Sequence, residues 1–85
     1  MSQKDKAKLR LKSIPQDYTY SEAKALLKSI GYIEYKKGKT SGSRVKFYRA
    51  SDNSVILLHK PHPSDQMSRG ATEVLKEMLE RKGDL

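Results

Sequence analysis

Two short segments of the chain hold the residues best suited to chemistry. The first, His59-Lys60-Pro61-His62-Pro63, contains both histidines of the 85-residue sequence. A proline on either side of His62 restricts φ and stiffens the segment, so an imidazole here is held and not left to swing. Imidazole has a reference pKa of about 6.5, which leaves acid and base forms both accessible near neutral pH. Three roles fit the pair: a metal set completed by Asp65, a surface turn with incidental imidazoles, or a site that contacts or cleaves RNA. The sequence has no cysteine, so thiolate metal sites, disulfides and cysteine nucleophiles are excluded.

The second segment, Lys37 to Arg44, reads KGKTSGSR. Gly38 and Gly42 remove side chains and expose backbone N–H groups, and Thr40, Ser41 and Ser43 add hydroxyl donors, the composition of a phosphate cradle. The order GxxxxGK[ST] of a nucleotide-binding loop is absent, and a hairpin needs the same Gly and Ser for turn geometry. Lys36, Lys37, Lys39, Arg44, Lys46 and Arg49 crowd this hairpin and favour the phosphate reading.

Charge points the same way. The net charge is +8, but residues 1–50 carry thirteen Lys and Arg against four acids, net +9, whereas residues 51–85 carry five against six, net −1. A basic half of this kind attracts polyanions, with affinity that falls as salt rises. RNA cleavage by attack of a ribose 2′-OH requires a base for the hydroxyl proton, an acid for the departing 5′ oxygen and cations for the charge on phosphorus. An imidazole fills the first role and Arg44 or Lys46 the third. Tyr48 could stack a base or donate its phenol hydrogen, with cross-strand packing as its other role.

The elements that position these residues can be traced along the chain. Lys4, Lys6, Lys8, Arg10 and Lys12 alternate as on an extended basic arm over residues 1–14, disordered or loosely docked; Ala7, Leu9, Leu11 and Ile14 offer a short helix before Pro15 as the alternative. Thr19 and Glu22 form a capping box ahead of Ala23, Leu26, Leu27 and Ile30, which predicts a helix stopped by Gly31. Strands follow at Tyr32–Lys36, Arg44–Arg49 and Ser54–His59. The second puts Val45 and Phe47 on one face and Arg44, Lys46 and Tyr48 on the other. Ser68 or Gly70 caps a last helix whose stripe is Ala71, Val74, Leu75, Met78 and Leu79, ended by Gly83. The expected fold is α+β, in the order α-β-β-β-α: a three-stranded antiparallel sheet with two helices on one face, in a single domain over residues 15–85. Neither a signal-peptide run nor a membrane span is apparent, so the cytoplasm is the expected location.

With SGSRVKFY, LHKPHP and a final amphipathic helix in this order, residues 17–82 resemble the HicA toxin family. That resemblance implies a double-stranded-RNA-binding-domain-like fold and the toxin of a type II toxin–antitoxin system. It also implies a ribosome-independent mRNA endoribonuclease neutralised by a HicB-like antitoxin. The family commonly carries Gly-Ser-His at the start of the second strand, whereas this chain has Gly42-Ser43-Arg44. A branch of the family pairs Gly-Ser-Arg with an HKPHP-like segment, and on that pattern His59 or His62 takes the catalytic task, with His59 favoured because it closes a strand. Lys36, Lys37, Lys39, Ser43, Arg44, Lys46, Tyr48 and Lys60 are then the expected RNA contacts. The expected partners are mRNA and the antitoxin, with no membrane, no cofactor and no metal, and the sequence leaves the oligomeric state open, a monomer being one option for the free chain. The rival reading is an RNA-binding module without chemistry, and a third is an interaction protein that binds no RNA.

Overall fold

The computed structural model describes residues 2–35, 44–61 and 63–85. The calls on Lys36, Lys37, Lys39, Ser43 and His62, and on the cradle glycines Gly38 and Gly42, lie outside the described residues. The elements run α1 (Gln3–Lys12), α2 (Tyr20–Ser29), β1 (Ile33–Tyr35), β2 (Arg44–Arg49), β3 (Ser54–His59) and α3 (Arg69–Arg81), an α+β fold with one antiparallel sheet in the order β1-β2-β3.

The basic N-terminal segment takes the helical alternative, as α1 over Gln3–Lys12. Ser2 caps α1 by accepting from the Asp5 N–H at 3.2 Å, and Leu11 is completely buried in the common core. Arg10 holds the helix down from the side. Its guanidinium pairs with Glu22 and with Asp17 (3.1 Å), and lies over the Tyr18 ring at 5.9 Å. Alternation of cations was therefore no sign of an extended arm; Ala7 and Leu11, four residues apart, set the face.

The expected capping box forms by half. Thr19 Oγ1 accepts from the Glu22 N–H at 3.1 Å, but the Glu22 carboxylate turns to Arg10, where a charge-assisted pair is the stronger contact. Asp65 supplies the missing N-terminal acceptors of α2, its carbonyl taking the Tyr20 N–H at 2.7 Å and its Oδ2 the Ser21 N–H at 3.0 Å.

Both α2 and α3 end in a Schellman motif. Gly31 (φ +101°) and Gly83 (φ +77°) take the left-handed conformation that a side chain disfavours. The next N–H in each case reaches back five residues, Tyr32 to Leu27 O (2.9 Å) and Asp84 to Leu79 O (2.9 Å). This starts β1 at Ile33 and not at the expected Tyr32, because the Tyr32 N–H is spent on the helix.

One guanidinium joins the two helix ends. Arg49, at the end of β2, has a side chain 11% exposed, lies 4.7 Å from the Tyr32 ring centre and donates to Asp84 Oδ1 (2.9 Å) and to the Ile30 carbonyl (3.1 Å). It also grips Asp52 in the β2–β3 turn through two bonds of 3.0 and 2.7 Å. A Cβ on Gly31 would stand 3.1 Å from the Arg49 Cδ, so close approach of the arginine stem adds to the demand for glycine.

The core lies between the helices and one face of the sheet: Leu11, Leu26, Leu27, Leu75 and Leu79 pack with Phe47, Ile56 and Leu58. In α3 the expected apolar stripe needs one correction. Val74 is 52% exposed, and Thr72 is buried in its stead, its hydroxyl returned to the Ser68 carbonyl at 2.9 Å. Ser68 is the cap, accepting from the Ala71 N–H. No helix among the described residues is long and apolar enough to cross a membrane.

Replacing Arg49 with Ala is expected to cost about 2–4 kcal/mol in urea unfolding, because the partly buried Asp84 loses its partner together with the ties to Ile30 and Asp52. Removing Arg69, whose ion pair with Glu73 is exposed, should cost no more than about 0.5 kcal/mol. Asp52 is held well below the usual carboxylate range, first by Arg49 and then by hydrogen bonds from Ser54. A depressed carboxyl adds stability above its unfolded value near pH 4 and loses it as pH falls further. The Asp52→Asn variant should accordingly be less stable at pH 7, with a shallower decline below about pH 4 when followed by circular dichroism.

Candidate functional site

The strand period of two sorts every side chain of the sheet to one face or the other. Val45, Phe47 and Arg49 of β2 and Ser54, Ile56 and Leu58 of β3 point to the core. Arg44, Lys46 and Tyr48, with Val55, Leu57 and His59, point away from it, and Ile33 and Tyr35 of β1 join them through their register with β2.

The outer face is therefore laid out in cross-strand rows. Ile33, Tyr48 and Val55 form one row, Tyr35, Lys46 and Leu57 the next, and Arg44 and His59 close the series. Ile33 (61% exposed), Leu57 (51%), Tyr35 (43%) and Val55 (41%) make an apolar strip that no described residue covers. The Lys46 ammonium lies 5.1 Å from the Tyr35 ring centre, so the cation and the aromatic are presented together. The described members of this face include no carboxylate, since Glu34 points the other way and pairs with Lys24 at 2.9 Å.

Of the site residues expected from sequence, His59 and Arg44 are brought together. They are register partners on adjacent antiparallel strands, a relation that sets Cα atoms about 4.5–5.5 Å apart, and both are exposed. Lys46 is two residues from Arg44 on the same face, and Lys60 follows His59 at the strand end. Tyr48 stands apart from them, roughly 13 Å along β2 from Arg44, and its hydroxyl is committed to Asn53 Oδ1 at 2.8 Å. In the structure its phenol hydrogen is given to Asn53, and its ring lies in the row between Ile33 and Val55.

Two readings of charged residues are corrected. Arg49 does not belong to the hairpin cluster; it sits at the opposite end of β2, faces inward and is saturated by Asp52, Asp84 and Ile30. Its parity with Val45 and Phe47 was the signal in the sequence. Asp65, weighed as the third member of a metal set, instead caps α2, and its carboxyl is held below the usual range first by hydrogen bonds from Ser21. Among the described residues no group of three His, Asp or Glu could hold a metal ion.

Sequence reasoning missed how the segment after β3 is held. Met67 N–H donates to the Tyr18 carbonyl at 2.8 Å, opposite the Tyr20–Asp65 bond, so that Thr19 and Gln66 form an isolated antiparallel bridge. Gln66 Nε2 adds a bond to the Gln16 carbonyl at 2.8 Å. The strap anchors the chain beyond His59 to the start of α2. Nothing in the composition of residues 60–68 marks it, because its main bonds are backbone to backbone.

No protein-family model, curated protein or solved structure matches the chain. The geometry itself carries the functional reading: an acid–base side chain beside a guanidinium, at the cationic end of an uncovered apolar sheet face.

Arg44→Ala and Lys46→Ala should each weaken binding of poly(U) and lower the slope of log affinity against log salt by about 0.7. The conservative Arg49→Lys change should leave that slope as it is, which a filter-binding series from low to high salt would read out.

Proposed function

We propose that the protein is a metal-independent endoribonuclease acting on single-stranded RNA at the Arg44–His59 end of the sheet, and that it serves as a HicA-like toxin in the cytoplasm. The observation that supports this most directly is the cross-strand pairing of Arg44 with His59 on the face away from the core.

In the proposed reaction His59 accepts the proton of a ribose 2′-OH. The freed oxygen attacks the adjacent phosphorus, and Arg44 stabilises the charge on the non-bridging oxygens with two parallel donors. The bond to the 5′ oxygen breaks, giving a 2′,3′-cyclic phosphate and a 5′-hydroxyl end. The leaving oxygen takes its proton from a second group, for which His62, three residues on in the sequence, is the candidate. Lys46 and Lys60 draw the flanking phosphates. The strip of Ile33, Tyr35, Val55 and Leu57 gives unpaired bases an apolar and aromatic surface, which a base-paired duplex would not use.

An antitoxin of the HicB type would act by covering this face with acidic and apolar groups, since the face offers cations and exposed aliphatics together. The second reading, an RNA-binding module without chemistry, draws on Arg44 standing where the resembled family usually has histidine.

Purified protein incubated with a single-stranded RNA in EDTA should produce 2′,3′-cyclic phosphate ends. His59→Ala should slow this about 100-fold or more, the usual effect of removing an acid–base group, while RNA binding is retained. Binding with no cleavage by the wild type would leave the non-catalytic module, and cleavage unaffected by both His59→Ala and His62→Ala would remove the proposed mechanism.

A further inference from the structure

His59 borders a second feature besides the sheet face. Between the end of β3 and the first turn of α3 lies an open groove of about 580 Å3, within the range of roughly 300–1,000 Å3 typical of small-ligand clefts. Its floor is apolar: Pro61, Ala71 and Met67, the last only 3% exposed and so firmly seated. Ser64, Gln66 and Ser68 supply the polar part of its lining, and His59 lines it from the strand end.

The polar groups differ in what they can still bind. Ser68 Oγ accepts from the Ala71 N–H as the cap of α3, and its O–H is left to donate. Ser64 Oγ accepts from the Gln66 N–H at 3.3 Å, which leaves its own O–H to donate. The Gln66 Nε2 bond to the Gln16 carbonyl settles the orientation of the amide and leaves Oε1 without a donor among the described residues. The groove thus combines an apolar floor with the hydroxyl donors of Ser64 and Ser68, the second hydrogen of Gln66 Nε2 and the acceptor Gln66 Oε1. A nucleobase has the matching character, flat apolar faces and an edge of donors and acceptors.

Resting on the ribonuclease reading, we infer that this groove receives the base of the nucleotide that carries the attacking 2′-OH, the one immediately 5′ of the broken bond. If His59 takes the proton of that hydroxyl, the same ribose must lie at His59, and its base falls beside it into the groove. Gln66 Oε1 accepts from the exocyclic amino group of adenine or cytosine, which adjoins a bare ring nitrogen. Uracil presents the reverse order, a carbonyl oxygen beside a ring N–H, and the amino group of guanine adjoins a ring N–H on its pairing edge. Ser64 O–H donates to the neighbouring ring nitrogen of such a base. Gln66 is therefore a specificity-determining residue, and Ala71 sets the depth of the floor.

The test reads the base 5′ of every break when the full-length protein digests a randomised RNA. The wild type should enrich adenine and cytosine there about tenfold over uracil, the size of one selective hydrogen bond. Gln66→Ala should flatten the ratio to about twofold or less, which mere loss of its strap to Gln16 would not do. Ala71→Leu, which fills the floor, should depress cleavage at all four bases. Identical base ratios for wild type and Gln66→Ala, or a preference for uracil, would overturn the inference. A binding measurement separates it from the nuclease reading: nucleoside 3′-monophosphates titrated into the His59→Ala protein and followed at the Met67 and Ala71 methyl resonances. Larger shifts with 3′-AMP and 3′-CMP than with 3′-UMP uphold the groove even if no RNA is ever cut, whereas cleavage without such shifts sinks the groove alone.

Discussion

The guanidinium of Arg49 stands where the two longest-range demands of the fold meet. The second and third helices each end on a left-handed glycine, and the residue after each glycine, Tyr32 or Asp84, is turned onto the same arginine. The arginine also holds the β2–β3 turn through Asp52. A planar, always-charged fork suits this position better than a lysine, because it offers donors in several directions at once and stacks on a ring. With so few residues to form a core, a hub that ties two helix ends and a turn to one strand does work that a larger domain would leave to apolar packing.

That hub also governs the other side of the sheet. A strand allows no independent choice for its two faces: a slip of one residue would carry Arg49 to solvent and Arg44 and Lys46 into the aliphatic core. Seating Arg49 inward therefore fixes Arg44 and Lys46 outward, and pairing with β3 sets His59 across from Arg44. Stability and the candidate site are coupled through register, although Arg49 stands at the far end of β2 from Arg44 and His59.

Much of this could be read before any coordinates. The bounds of β2 and β3 were legible because β-branched and aromatic residues alternate between clear turn signals, and α2 because Thr19 and Gly31 bracket an apolar stripe. The face carrying Arg44, Lys46 and Tyr48 followed from period alone. What escaped depends on partners far apart in sequence. Helix α1 has little apolar stripe of its own, and its docking relies on Arg10 meeting Glu22 and Asp17. Val74 and Thr72 exchanged places because a threonine that bonds back to its own helix is cheap to bury. Asp65 neighbours two histidines in sequence, yet it faces the start of α2, more than forty residues earlier in the chain.

The strap between residues 65–67 and 18–20 has a further meaning for how such a protein could diversify. Its two principal bonds run from main chain to main chain, Tyr20 to Asp65 and Met67 to Tyr18, so the path of the segment is laid down without reference to most of its side chains. Ser64 and Gln66 can be exchanged for other residues while the backbone stays on course and the strand end bearing His59 keeps its place. Lineages descended from one ancestor could in this way alter what the neighbouring groove accepts, leaving the arginine and the imidazole untouched.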